Sequence, residues 1–106
     1  MLYYIRIEHM IKHIVFWKIK EDLDKEGVIE EIKIRVESMN DQIPGLIKVE
    51  MGSDFNGSEV AFDVALYSEM EDKAALAVYQ DHPMHLHVKE FIGAVTSDRA
   101  VVDYEV

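Results

Sequence analysis

Hydrophobic positions along this chain change period several times, and each change marks a structural element. From Lys12 to Ile19 the run "KHIVFWKI" is rich in β-branched and aromatic residues, which suits a strand. Alternation places His13, Val15, Trp17 and Ile19 on one face and Ile14, Phe16 and Lys18 on the other. Both faces are largely apolar, so this strand needs cover on both sides. From Asp22 to about Asn40 the period becomes helical, with Val28, Ile32, Val36 and Met39 recurring between charges. Pro44-Gly45 stops that helix in a turn. Ile47, Val49 and Met51 then alternate against Leu46, Lys48 and Glu50 in a second strand. Asn56-Gly57 is a hairpin signal. Beyond it "VAFDVALY" reads as a third strand, with Val60, Phe62, Val64 and Leu66 on one face. Ser68 and Glu71 match a capping box for a second helix that ends near Tyr79. Pro83 seeds a third helix behind Asp81 or His82, with Val88, Phe91, Ile92 and Val95 as its apolar stripe. "RAVVDYEV" closes the chain as a fourth strand.

The order β-α-β-β-α-α-β predicts an α+β, ferredoxin-like fold, a four-stranded antiparallel sheet with its helices on one face. The second face of that sheet stays apolar in strands one and three. The economical cover for it is a second copy, a homodimer packed sheet on sheet or closed into a barrel.

At 106 residues there is room for one domain. We place it at residues 10–106, because Met10 opens a clean strand, and read residues 1–9 as an N-terminal extension. The β character of Leu2, Tyr4, Ile5 and Ile7 keeps an extra strand open as the other reading. The first residues lack a basic stretch followed by a long apolar one, so they do not form a signal peptide, and no apolar run approaches a membrane span. The net charge of −10, from 21 acidic against 11 basic residues, repels phosphate backbones and anionic membranes, so neither nucleic acid nor membrane is expected as a partner. Cysteine is absent, which excludes disulfides, thiolate catalysis and thiolate-bound zinc and fits a cytoplasmic protein.

Candidate chemistry concentrates in "YQDHPMHLHVKEF", residues 79–91. His82, His85 and His87 look at first like metal ligands, but positions two apart on a helix diverge by about 200°, so His87 cannot join the other two. No Asp or Glu stands three or four residues after His85, so no metal and no cofactor is expected. His85 precedes Val88 and Ile92 on the core stripe and should point toward the sheet. There an imidazole, with an ordinary pKa of about 6.5, is suited to moving protons. His13 shares its strand face with Val15 and Trp17. It serves either as acid or base above a pocket lined by Val15, Trp17 and Phe62, or as a core residue bonded to Tyr79 or His85. Asp63 faces away from the apolar core face and is expected to make a barrel-side or dimer contact, with Lys48 as one candidate partner.

Taken in order, "HIVFWKIKED", "IPG", "DFNGSEVAFDVALYSEMED" and "YQDHPMHLHVKEF" resemble the stress-responsive α/β-barrel (Dabb) family of the dimeric α+β barrel superfamily, over nearly the whole chain. The resemblance implies a ferredoxin-like protomer in a barrel-forming homodimer. Most members have no assigned reaction, and the informative exception is a plant polyketide cyclase, olivetolic acid cyclase, which uses no metal or cofactor. Its strand-one histidine, its tyrosine and the histidine of a Tyr-x-x-His-Pro-x-His segment fall on His13, Tyr79 and His85. A further strand-three histidine falls on Val60, a departure from the cyclase pattern. On this likeness His13 and His85 would move protons, and Tyr79 would donate to a carbonyl oxygen as it becomes an enolate. The rival expectation is a stress-related structural or interaction protein whose histidines only hold the core.

Overall fold

The computed structural model describes residues 9–106, so the N-terminal segment assigned to residues 1–9 lies, save for its last residue, outside the described residues. The elements run β1 (Ile11–Ile19), α1 (Lys25–Glu37), β2 (Leu46–Ser53), β3 (Val64–Met70), α2 (Lys73–Asp81), α3 (Pro83–Val95) and β4 (Thr96–Glu105). The strands form one antiparallel sheet in the order β2-β3-β1-β4, so β1, the most apolar strand, is central and β4 is an edge. This is the ferredoxin-like α+β arrangement that the hydrophobic pattern predicts. Among the described residues, no helix is long and apolar enough to cross a membrane.

One core cluster joins the inner face of the sheet to all three helices. Val15, Trp17 and Leu66 come from strands, Ile32 and Val36 from α1, and Tyr79 and Ile92 from α2 and α3. The outer faces of β1 and β3 are only half covered, at Ile14, Phe16, Ala65 and Tyr67. Val102 and Tyr104 continue that uncovered surface onto β4, because they pair with Ile14 and Lys12.

α1 is shorter than its periodicity predicts. Tighter turns take over at its end, where Met39 and Asn40 donate to the carbonyls of Val36 and Glu37. Asn40 then clamps the helix to β2: its Nδ2 donates to the Val49 carbonyl at 2.8 Å, and its Oδ1 accepts from the Val49 amide at 2.9 Å. In the turn that follows, Gly45 has φ +83, and a Cβ there would lie 2.5 Å from that of Ala75. Only glycine meets both demands. β2 departs from simple alternation. A register shift between Leu46 and Lys48 turns Leu46 to the same inner face as Val49 and Met51 and leaves Ile47 exposed.

The third strand starts later than expected. Gly57 does turn the chain, at φ +67, with its amide donating to Asp54 Oδ2 at 2.7 Å, but this turn lies inside a loop from 54 to 63 rather than in a tight hairpin. β3 then runs on through Ser68, so the expected capping box does not form. Ser68 is buried opposite His13, and its hydroxyl donates to the His13 carbonyl at 3.0 Å. The inward alternation Val64, Leu66, Ser68, Met70 carries the strand past the polar signal. The cap of α2 is Asp72, whose Oδ1 accepts from the Ala75 amide at 2.8 Å. Asp63 does not meet Lys48. Its Oδ1 lies 2.7 Å from Lys25 Nζ, and its Oδ2 accepts from the Ile19 amide at 2.7 Å. Burial works against its charge, yet Lys25 and that amide outweigh the effect and hold its pKa below the usual value.

Candidate functional site

A cavity of about 480 Å³ lies between the inner face of the sheet and helices α2 and α3. Strand alternation supplies one wall, since His13, Val15 and Trp17 point inward from β1, with Leu66 from β3. Tyr79 comes from the last turn of α2 and His85 from the first turn of α3. The short junction between those helices brings the two together. His82 caps α3, its Nδ1 accepting from the Met84 amide at 3.1 Å, and Pro83 takes the first helical position. His87 is exposed. Among the described residues, no three His, Asp or Glu side chains converge as metal ligands would.

Phe62 is not part of this cavity. It precedes β3 and turns to the opposite face of the sheet, where its ring centroid lies 6.1 Å from that of Phe16. Because β3 begins only at Val64, the alternation that would have turned Phe62 inward does not reach it. Val60 is likewise outside the cavity, 85% exposed in the loop before β3.

The rings of Tyr79 and His85 have centroids 4.3 Å apart, and that of His13 lies 5.9 Å from Tyr79. His13 does not bond either neighbour. Its Nδ1 bonds the carboxylate of Asp103, which β4 delivers directly opposite it in the register. A carboxylate only accepts, so Nδ1 carries the proton and, in the neutral ring, Nε2 is left as a base. The same reasoning sets the tautomer of His85: Nδ1 donates to the Gln80 carbonyl at 3.2 Å, again leaving Nε2 as the acceptor. The sequence reading missed Asp103. Its signal was an acid directly after the apolar pair Val101-Val102, which acquires meaning only once β4 is paired with β1.

Tyr79 is the unusual member. It is 0% exposed, and its hydroxyl has no hydrogen-bond partner. Burial raises its pKa far above the ordinary phenol value, so it remains a protonated donor. Burial also lowers the pKa of His85, reinforced by charge on His13, Lys89 and Arg99 and opposed by the Gln80 carbonyl. Folded His85 is therefore neutral where an unfolded histidine, with a pKa of about 6.5, begins to bind a proton. Its contribution to stability is complete above that pH and declines as pH falls toward the lower folded value. In urea titrations at a series of pH values between neutral and mildly acidic, His85→Gln is expected to lose less stability on acidification than the wild type. Equal slopes would show that His85 does not titrate in this way.

The Stress responsive A/B Barrel Domain family, Dabb, matches residues 11–106. A dimeric protein of ferredoxin-like fold from Bacteroides fragilis NCTC 9343 is 32% identical, with 92% of this chain aligned to 96% of that one at a TM-score of 0.83. A Dabb protein from Mesorhizobium loti is 22% identical over 92% of this chain and 96% of its own, at a TM-score of 0.70. The hydroxynitrile lyase of Passiflora edulis shares the fold at a TM-score of 0.82, with 18% identity over 93% of this chain and 94% of its own. Among curated proteins, none matches.

Proposed function

This chain belongs to the stress-responsive A/B barrel (Dabb) family, and from that premise we propose that it is a cytoplasmic homodimer. In this reading each protomer binds a small apolar or aromatic carbonyl compound in the cavity between helices and sheet and performs cofactor-free acid–base chemistry on it, in the manner of a polyketide cyclase. Three solved structures of this fold are dimeric proteins, and the apolar outer face of the sheet offers the surface for such pairing.

The observation that carries the chemistry is the unpaired hydroxyl of Tyr79, whose ring lies beside two imidazoles with tautomers that are both fixed by a second contact. Buried tyrosines ordinarily satisfy their hydroxyls, and one that does not costs about 1–3 kcal/mol, whereas phenylalanine would fill the same core space without that penalty. In the proposed step His85 Nε2 takes a proton from the carbon beside the carbonyl. The carbonyl oxygen becomes an enolate that the Tyr79 hydroxyl stabilises as a donor. The enolate carbon then adds to a second carbonyl of the same ligand. The alkoxide that forms takes up the proton that His85 removed, handed over directly or through His13 Nε2, which Asp103 orients. Since Tyr79 exposes no surface, a ligand oxygen meets it only when the side chains over it give way, His85 being the nearer of the two imidazoles. Val15, Trp17 and Leu66 would hold the apolar body. A purely structural role accounts for the bonds that His13 and His85 make, but it leaves the Tyr79 hydroxyl without a purpose.

A thermal-shift screen of small aromatic and aliphatic carbonyl compounds, with mass spectrometry of anything that co-purifies, tests the binding reading. A ligand at a hundred times its Kd stabilises by about 2.7 kcal/mol, a melting rise of roughly 10 °C or more for a domain of this size. Gly93 lines the cavity, and a Cβ on it would meet nothing within 4 Å, so Gly93→Phe should fold and abolish the shift by filling the space. A panel that leaves the wild type unmoved, or a shift that survives Gly93→Phe, would remove the cavity from consideration.

A further inference from the structure

Lysine and arginine side chains are few in this acidic chain, and nearly all of those described are engaged. Lys25, Lys33, Arg35, Lys48 and Lys73 form ion pairs with carboxylates. Lys12 and Lys18 lie over the rings of Tyr67 and Phe62, and Lys20 donates to the Ala94 carbonyl. Among the described residues this leaves Lys89 and Arg99 with no ion pair, hydrogen bond or aromatic partner, and both line the cavity that holds His13, Tyr79 and His85. They approach it from opposite walls. Lys89 stands one helical turn after His85 on α3 and so shares its side of the helix. Arg99 stands on β4 directly opposite Trp17 in the register, and pairing places both on the inner face. Each is exposed, whereas Val15, Trp17, Leu66 and Ile92 in the same lining are buried, so the two cations mark the mouth of the cavity.

We propose that Lys89 and Arg99 form a carboxylate subsite, and that the ligand class of this cavity is a small apolar or aromatic carboxylic acid. Its charged end sits at the mouth and its body lies against Val15, Trp17, Leu66 and Ile92. The inference rests on the binding reading above and narrows it to an anion. One carboxylate, that of Asp81, also lines this space and has no ion pair among the described residues, while Asp103 lies behind His13 and is engaged with it. Set against a net charge of −10, a local pair of uncommitted cations is the one feature of the cavity that would draw an anion in, and a planar guanidinium suits a carboxylate in two-point contact. With the charged end outside, a carbonyl farther along the ligand would fall toward His85 and Tyr79.

Calorimetric titration of matched pairs reads the subsite directly: hydrocinnamate against hydrocinnamide, and decanoate against decanamide, at neutral pH. Each acid is expected to bind about tenfold or more tightly than its amide, as for a charge-assisted pair, and added salt should shrink that preference. Arg99→Gln and Lys89→Gln should each reduce the preference, and the double substitution should abolish it while leaving amide binding unchanged. Equal binding of acid and amide by the wild type would overturn the subsite and leave the binding cavity standing. Binding of no member of either pair would overturn both.

Discussion

Tyr79→Phe is expected to separate stability from function. Removing an unpaired buried hydroxyl while keeping the ring should leave the protein at least as stable as the wild type, with a gain of about 1 kcal/mol. The same change should lower turnover of a bound carbonyl substrate by about 10²–10³-fold, the usual cost of deleting one donor to a developing oxyanion. The hydroxyl qualifies as that donor because burial raises its pKa and keeps it protonated, and because no protein group competes for it. Urea unfolding and steady-state kinetics on one preparation check both halves. A Tyr79→Phe protein that is less stable by 1 kcal/mol or more would mean that the hydroxyl is satisfied in solution and holds the core. His13→Ala should differ in kind, because it strips Asp103 of its partner and opens a gap in the strand face, so it should lower stability and activity together. Only the tyrosine offers a clean division between the two roles.

How much of this was legible in the sequence depends on whether a feature is local. The inward face of β1, with His13, Val15 and Trp17 in step, follows from alternation alone, and the structure places all three on the cavity wall. The start of α3 follows from Pro83 and a capping residue, and the structure gives that cap to His82. These signals sit within a few residues of what they determine. Phe62 and Ser68 show where local reading fails. Their nearest cues, an Asn-Gly pair and a Ser-x-x-Glu, are outweighed by a strand whose start and end are set by pairing with β1 and β2. The β2 register shift, which turns Leu46 inward, is likewise decided by neighbours rather than by composition. Asp103 is the case within the candidate site. It lies 90 residues from His13, and only the β1–β4 register makes it the partner that orients the imidazole. The candidate trio is thus visible in the chain, while the fourth member that orients His13 is not.

The second large effect concerns the other face of the sheet. Val102→Asp is expected to convert a dimer into folded monomers. Val102 is 56% exposed in the protomer and pairs with Ile14 on the outer face, beside Phe16 and Tyr104. A lone protomer should therefore tolerate the change, within about 0.5 kcal/mol, as an exposed site usually does. In a sheet-on-sheet dimer the same carboxylate would be buried without a partner, at about 3–5 kcal/mol, and two-fold symmetry imposes it on both copies. Weakening of association by more than about a hundredfold should follow. Ile34→Asp is the control, since Ile34 is 57% exposed on α1 and lies away from the outer sheet face. It removes a similar apolar surface and should leave the dimer intact. Light scattering and sedimentation at micromolar concentration, with circular dichroism to verify folding, distinguish the outcomes. A wild type that is monomeric under those conditions, or a Val102→Asp protein that stays dimeric, would rule out pairing through this face.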